Sequence, residues 1–389
     1  MHSFHRGEKA MGLQREIFTE DHEIFRNSMR KFLADEIAPH HEKWEAQGYV
    51  DRDAWKRAGE LGFLCMSMPE EYGGSGADRL YSMILFEEVQ KQNLTGLGYG
   101  LHNEIVAPYI LRYGSDEQKQ KYLPKMASGE LIGAIAMSEP GTGSDLQSVK
   151  TTALKDGNEI VVNGQKTFIT NGWNADIVIV VAKTDPTKGA KGTSLVMLER
   201  GDEGFDKGRR LKKLGLKAQD TSELFFENVR IPADRILGEE GKGFQYLMQE
   251  LAWERLQVAI SAAQAIETAL DMTVEYCKER QAFGQPLIEF QNTRFKLAEV
   301  KTIAQVARTF VDDCMAKLLR DELDAETASM AKWWTSDQQN KMIDECLQLF
   351  GGYGFMWEYP ISRMYADARV QRIYAGTNEI MKEIIARKL

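Results

Sequence analysis

Residues 135–145 have the sequence IAMSEPGTGSD and mark the change from helical to strand patterning on which the fold prediction depends. An apolar run of strand type ends at Glu139-Pro140, and a turn of small residues, Gly141 to Asp145, follows it. In a turn with so little side-chain bulk, backbone N–H groups and hydroxyls can close around an anion such as a pyrophosphate. The same pattern is equally compatible with an ordinary turn. No helical pattern follows, so this is not the fingerprint of a βαβ dinucleotide-binding unit.

Hydrophobic periodicity divides the chain into three regions. Apolar residues recur at helical spacing at both ends, whereas the middle has the period of strands. In the middle region, Asp156-Gly157-Asn158 and Asn163-Gly164 predict two tight hairpins. We expect four long helices after the strands. The sequence therefore predicts an α+β multi-domain fold with a flexible N-terminus at 1–17, an N-terminal α-helical domain at 18–131, a middle β-barrel or β-sandwich domain at 132–240 and a C-terminal four-helix bundle at 241–389.

Length, charge and composition exclude several classes of protein. A chain of 389 residues is expected to form two or three packed units. Its net charge of −9 and its lack of a Lys/Arg block argue against nucleic acid and anionic membrane surfaces as partners, and no apolar run approaches the length of a membrane span. The four separated cysteines predict buried thiols in a reducing compartment. All six histidines precede residue 103, so chemistry in the rest of the chain must use carboxylates or a cofactor, and we predict no metal site.

Glu254 lies on or beside an apolar stripe of a predicted helix, which includes Leu247, Leu251 and Val258. A carboxylate there is either paired with a cation such as Arg255 or held in a dry site, where a raised pKa suits general-base catalysis. Periodicity alone favours the structural pair.

Two separated stretches resemble the signatures of the acyl-CoA dehydrogenase family. The first is 135–145, and the second comprises QLFGGYGF at 348–355 and RVQRIYAGTNE at 369–379. The resemblance extends from about residue 18 to residue 387. It implies the acyl-CoA dehydrogenase fold and an FAD-dependent oxidoreductase of fatty-acid β-oxidation. Such an enzyme converts acyl-CoA thioesters to trans-2-enoyl-CoA by removing an α-proton and passing the β-hydrogen as hydride to the flavin.

The resemblance also changes the interpretation of Glu254. In this family the catalytic glutamate comes from one of two places, and the commoner one precedes the Gly-Thr of the last signature. Ala375 stands there in this chain and cannot act as a base. The other place, used by the long-chain and isovaleryl subfamilies, holds Glu254. The resemblance therefore implies Glu254 as the base, with the backbone N–H of Ala375 and a flavin hydroxyl as donors to the thioester oxygen.

Further contacts follow from the resemblance, motif by motif. Those implied for FAD are Ile135, Met137, Ser138, Gly143, Ser144, Phe168, Ile169, Thr170, Thr377, Asn378 and Glu379, together with Arg280, Phe283, Gln291, Gln348, Leu349, Phe350, Gly351 and Gly352, which would reach the FAD of a neighbouring subunit. Those implied for the substrate are Ser144, Gln245, Leu251, Arg255, Ala375, Gly376 and Arg387. Without the resemblance, the pattern around Phe168 and Thr170 is equally compatible with an ordinary strand face, and Arg280 is better explained as a solvated cation at a helix end. Gln245 and Ala375 depart from the long-chain pattern.

The resemblance implies a homo-oligomer, usually a homotetramer, and an electron-transfer flavoprotein as acceptor. We expect a cytoplasmic bacterial protein, or a mitochondrial matrix protein if the chain is a processed eukaryotic form. A dehydrogenase of isovaleryl-CoA or of other branched or terpenoid acyl-CoAs is the alternative enzyme, since it shares the position of Glu254. A non-catalytic flavin-binding scaffold or assembly protein is the alternative from another class, although a scaffold has no need of an acid in an apolar stripe.

Overall fold

A computed structural model describes residues 15–389, so most of the predicted flexible N-terminus, residues 1–14, lies outside the described residues. Helices precede and follow a single large β-sheet, in the predicted order. Ser115 shows how the sequence sets one helix start, because its hydroxyl accepts from the Gln118 N–H while the Gln118 side chain accepts from the Ser115 N–H. The first seven helices are α1 (Glu20–Phe32), α2 (Ala38–Gln47), α3 (Arg52–Glu60), α4 (Arg79–Lys91), α5 (Tyr99–Leu101), α6 (Ala107–Tyr113) and α7 (Asp116–Ala127).

The middle of the chain forms an eight-stranded sheet, which confirms the predicted β domain. The strands are β1 (Gly133–Ala136), β2 (Thr152–Asp156), β3 (Glu159–Thr170), β4 (Ile177–Lys183), β5 (Thr193–Glu199), β6 (Phe205–Arg210), β7 (Thr221–Pro232) and β8 (Ile236–Leu237). They lie in the order β6-β7-β3-β2-β4-β5-β8, and β1 pairs in parallel with β4. The central strands β4 and β5 carry apolar residues on both faces. One face packs against helices, and the other packs against residues of strands β3 and β7 of the same sheet.

The two predicted hairpins have different outcomes. The turn at 156–158 joins β2 to β3, with Gly157 at φ +65°, as predicted. The hairpin predicted at Asn163-Gly164 is wrong, because β3 continues through both residues and pairs with β7 on either side of them. A register shift between Val162 and Gly164 absorbs the Asn-Gly step as a bulge. A side chain at Gly164 would overlap Thr151, so close packing explains the glycine without a chain reversal.

The C-terminal region contains three long helices and two short ones, rather than the four long helices expected. They are α8 (Gly243–Glu279), α9 (Gln291–Leu319), α10 (Ala325–Phe350), α11 (Pro360–Ala368) and α12 (Asn378–Ala386), with a small hairpin of β9 (Gln281–Ala282) and β10 (Gln285–Pro286) after α8. Both short helices pack on α10, where Gly351 at φ +57° ends the third long helix. The region is a helical bundle whose core runs along α8.

A buried cluster of charges joins the N-terminal helices to this bundle. Glu87 of α4 accepts from Arg308 of α9 at 2.6 Å, from Arg15 at 2.7 Å and from Arg26 of α1 at 2.8 Å. Arg15, which belongs to the segment predicted to be flexible, also pairs with Asp312 at 2.7 Å. The cluster fixes α4 against the bundle beside α8, the helix that carries Glu254.

No helix between residues 15 and 389 is long and apolar enough to cross a membrane. The four cysteines are buried, as predicted. The divisions at residues 17, 131 and 240 stay predictions.

Candidate active site

Glu254 is buried in the second quarter of α8, with 7% of its surface exposed. Its Oε1 accepts a hydrogen bond of 3.2 Å from the hydroxyl of Tyr109, which lies on α6 and is itself buried. Leu247, two turns earlier on the same face of α8, packs in the same apolar cluster as Tyr109, so the carboxylate lies beside apolar side chains.

Burial raises the pKa of Glu254 to about 7, and the nearby Glu250 carboxylate adds to this shift. The Tyr109 hydrogen bond and the Arg255 charge act in the opposite direction, because both favour the ionised carboxylate. A carboxylate with this pKa can hold or release a proton near neutral pH. That is the property a general base requires.

The direct ion pair with Arg255, which periodicity alone favoured, is absent among the described residues. Arg255 instead donates to Ser329 Oγ of α10 at 3.2 Å, and its Nε has no hydrogen-bond partner. Consecutive residues of a helix point about 100° apart, which explains why the two neighbouring side chains diverge. Arg255 influences Glu254 only through its charge.

Helix α10 connects this arrangement to the loop that contains Ala375. Lys332 lies one turn after Ser329, is fully buried, and donates to the Gly376 carbonyl at 2.7 Å and to Asn378 Oδ1 at 2.9 Å. Burial lowers the pKa of Lys332 to about 7, and the charge of Arg255 contributes to the shift. One face of α10 therefore holds Arg255 through Ser329 and the loop through Lys332.

Ala375 and Gly376 form a tight backbone feature, with φ values of +53° and +87°. A residue with a side chain is uncommon in the left-handed region and is kept there by its surroundings. Here Lys332 and Asn378 supply that restraint. The side chain of Asn378, a residue predicted to contact FAD, is buried and bonds to Lys332, Ser336 and Asp337, so it helps to hold the loop.

The glycine-rich turn after β1 is held from below by a buried ion pair. Lys166 Nζ donates to Glu139 Oε1 and to the Met137 carbonyl, both at 2.9 Å, and burial lowers the pKa of Lys166 to about 8. Glu139 also accepts from the backbone N–H groups of Lys150 and Thr151, at 2.7 and 2.9 Å. The turn is thus fixed by its first residues, while Gly143 and Ser144 stay exposed.

The exposed side of the turn has room for a ligand. A Cβ at Gly141 or at Gly143 would meet no atom within 4 Å. Nearby in the same sheet, Phe168 lies at a second irregularity of β3, with φ +61° and 69% of its surface exposed. An open glycine turn and an exposed aromatic ring together suit a pyrophosphate and a flat ring system, so these residues fit a flavin dinucleotide.

A second group of predicted residues lies at the other end of α8. Phe283 is 98% exposed at φ +51°, in a two-residue turn with Gly284 between β9 and β10. Phe355 is 85% exposed and Arg280 lies over the Tyr353 ring at 5.7 Å. We call Arg280, Phe283, Tyr353 and Phe355 the aromatic end of the bundle. Aromatic side chains exposed to this degree are typical of a contact with another molecule.

Several other predicted residues are not directed towards these openings. The side chains of Ile135, Ile169 and Phe350 are buried in the core, and Phe350 stacks on Tyr276 at 4.1 Å. Gln245 is exposed nine residues before Glu254, about half a turn around α8 from it. Arg387 pairs with Glu383 at 2.9 Å. The rest keep accessible surface: Ser138, Thr170, Leu251, Gln291, Gln348, Leu349, Gly351, Gly352, Thr377 and Glu379.

Three residues of the site were not predicted from the sequence: Tyr109, Lys166 and Lys332. Lys332 left a detectable signal, since a cation in the apolar helix segment SMAKWW needs a buried partner. Tyr109 left none, because one tyrosine among the apolar residues of α6 is ordinary core.

Comparison with known proteins gives a consistent result over the whole described chain. Three domain profiles match: Acyl-CoA dehydrogenase, N-terminal domain, at residues 19–130; the middle domain at 134–229; and the C-terminal domain at 241–389. The pig long-chain specific acyl-CoA dehydrogenase of mitochondria is 53% identical over 96% of this chain and 88% of its own. The rice mitochondrial isovaleryl-CoA dehydrogenase is 38% identical over 96% and 92%. A crystal structure of an acyl-CoA dehydrogenase from Geobacillus kaustophilus superposes with a TM-score of 0.94 at 50% identity, over 96% of this chain and 99% of that one.

Proposed function

The chain belongs to the acyl-CoA dehydrogenase family and is an FAD-dependent oxidoreductase, and from this premise we propose that it oxidises long, straight acyl-CoA thioesters with Glu254 as the base. The observation that supports this role most strongly is the buried Glu254 carboxylate, whose pKa burial raises to about 7. A scaffold protein gains nothing from this desolvated acid, whereas a base benefits from it.

In the proposed reaction, Glu254 removes a proton from the α-carbon of the thioester. That carbon is too weakly acidic for a carboxylate unless donors stabilise the negative charge that develops on the thioester oxygen. We assign one such donor to the backbone N–H of Ala375, since a backbone group is retained whatever side chain the residue carries. The Lys332 contact with Gly376 supports this assignment, because it fixes the loop whose N–H must be aimed.

FAD, when bound, supplies the chemistry that accepts the β-hydrogen as hydride. We propose that Met137, Ser138, Gly143 and Ser144 hold it at the glycine turn, that Phe168 packs on its ring and that Thr170 forms a hydrogen bond with the ring. The open space at Gly143 and the exposure of Phe168 support both assignments.

We further propose that the aromatic end of the bundle lies against a neighbouring subunit and its FAD in a homo-oligomer, as Arg280, Phe283, Gln291 and the 348–352 segment would require. A phenylalanine held almost wholly exposed in a left-handed turn supports this proposal. Arg280 makes no ion pair within residues 15–389, so its charge is available to a phosphate.

Replacing Phe283 with Asp should therefore lower both the assembly state and the flavin content, because a charge cannot be buried in an apolar contact without a partner. Light scattering and flavin absorbance after gel filtration measure the two quantities. Ile24→Asp, at an exposed apolar position of α1, is the matched control and should leave both unchanged. An oligomer of normal flavin content in Phe283→Asp would remove this surface from the interface.

The choice of long, straight chains rests on the relatives. Identity to long-chain specific enzymes exceeds identity to isovaleryl-CoA dehydrogenases, 53% against 38% over nearly the same length. Isovaleryl-CoA or another branched acyl-CoA is the second candidate, since both groups share the Glu254 position. An electron-transfer flavoprotein as acceptor and a location in the bacterial cytoplasm or the mitochondrial matrix are part of the same proposal.

A panel of acyl-CoAs of graded length and branching, assayed with an artificial acceptor, tests the substrate proposal. We expect kcat/KM for long straight chains to exceed that for isovaleryl-CoA by about tenfold or more, since each buried methylene contributes on the order of 0.8 kcal/mol. A preference for isovaleryl-CoA or for a methyl-branched terpenoid thioester would establish the second candidate instead.

A further inference from the structure

We propose that Tyr109 is a positioning residue for proton abstraction, one that fixes the Glu254 carboxylate on α8 through its hydroxyl on α6. This inference rests on the proposed role of Glu254 and deepens it. Tyr109 does not contact the reacting atoms in this account; it acts through the base.

The geometry makes Tyr109 the direct partner of the carboxylate. Its hydroxyl donates to Glu254 Oε1 at 3.2 Å, and this is the hydrogen bond that Glu254 makes within residues 15–389. Both side chains are buried, and Tyr109 packs in the same apolar cluster as Ile135 and Leu247, so the ring has little freedom to turn away. One carboxylate oxygen is thereby occupied, which leaves the other to take a proton.

The other charged groups around Glu254 have partners of their own. Glu250, one turn earlier on α8, accepts from Arg112 at 2.7 Å and from the Tyr113 hydroxyl at 2.5 Å. Arg255 donates to Ser329, and Lys332 lies behind it on α10 and donates to the 376–378 loop. An ionised Glu250 carboxylate has no proton to donate, and the N–H groups of Arg255 and Lys332 that have partners point to α10 and to the 376–378 loop.

Because the hydroxyl donates to the carboxylate, it favours the ionised form, which is the form that accepts the α-proton. Removing it should raise the pKa of the base. Hydrogen bonds to ionised groups are strong enough that the expected upward shift is about one pKa unit. The rate should then fall about tenfold near pH 6, where little of the base is ionised, and change little near pH 9.

The experiment compares Tyr109→Phe with Tyr122→Phe in the FAD-loaded enzyme. Tyr122, on α7, also donates to a carboxylate, Glu199 at 2.5 Å, in the middle domain, so its loss controls for the general effect of removing a tyrosine–carboxylate bond. The quantity measured is the pH profile of kcat/KM, together with exchange of the substrate α-protons in deuterated water. Tyr109→Met, which also lacks the hydroxyl, should shift the profile in the same direction and serves if Tyr109→Phe does not fold.

An acidic limb moved upward in Tyr109→Phe and not in Tyr122→Phe is the expected result. The effect must also vanish in a Glu254→Gln background, because Tyr109 acts through Glu254. An unmoved profile, or a uniform loss at all pH values, overturns the inference. If Glu254→Gln itself keeps near-normal rates, the proposed function fails first, so the two failures are distinguishable.

Discussion

Glu254→Gln is expected to keep the fold, the bound FAD and acyl-CoA binding, while substrate-dependent loss of flavin colour slows by roughly 100- to 10,000-fold. Glutamine has nearly the shape of glutamate and can still accept from Tyr109, but it cannot take the α-proton. No histidine follows residue 102, and the nearby Glu250 carboxylate is held by Arg112 and Tyr113, so another base is not at hand. Anaerobic stopped-flow absorbance measures the rate.

Glu250→Gln is the matched control for this substitution. It removes a carboxylate one turn away on the same helix, and it should lower the pKa of Glu254 rather than abolish the reaction, because Glu250 raises that pKa. If the two variants lost the same share of the rate, the negative charge of this region would be what the reaction needs, and Glu254 would not be the base.

Glu87→Ala should lower the free energy of unfolding by about 3–5 kcal/mol, because removing one member of a buried ionic cluster leaves the other charges without a partner. Arg308 and Arg26 are buried beside Glu87, and Arg15 completes the cluster. Urea unfolding of the FAD-loaded protein at one fixed concentration measures the change, since assembly and ligand binding also affect stability.

Surface position 36 provides the control for that prediction. Glu36 pairs with Arg57 in water-exposed surroundings, so Glu36→Ala should change the midpoint little. Burial alone would raise the pKa of Glu87, but the charges of Arg308, Arg15 and Arg26 lower this pKa to about 2. The contribution of Glu87 is therefore present above its ordinary pKa and lost as pH falls towards 2. Similar destabilisation in the two alanine variants would contradict the cluster's role.

The order of helices, strands and helices was predictable because period 3.6 and period 2 are local properties of a sequence. The failure at Asn163-Gly164 shows the limit of such local rules. Asn-Gly favours a hairpin turn, but pairing of β3 with β7 on both sides stabilises a continuous strand, and the step becomes a bulge. The prediction of a fourth long helix was wrong for a similar reason. The chain turns at Gly351 and continues as the short helices α11 and α12, whose positions depend on packing against α10.

In the candidate site, too, some residues could be predicted from local sequence patterns and others could not. Glu254 could be proposed from an acid in an apolar stripe and from the signatures, whereas its partner is 145 residues earlier on another helix. The link from Lys332 to Gly376 likewise spans 44 residues. Contacts of that range depend on how helices pack, so the sequence around Lys332 could indicate that a buried partner was needed but not which residue it is. The ion pair between Glu254 and Arg255, which periodicity alone favoured, is not formed because the side chains of consecutive helix residues point in different directions.

The most direct test of the central claim is exchange of the α-protons of a long-chain acyl-CoA with deuterated water, measured anaerobically by mass spectrometry on the FAD-loaded enzyme. Removal of the α-proton by Glu254 predicts exchange in the wild-type protein and in Tyr122→Phe, and exchange slowed by at least about 100-fold in Glu254→Gln. Exchange at the wild-type rate in a folded, FAD-loaded Glu254→Gln protein would contradict the account, because another group would then be taking the proton.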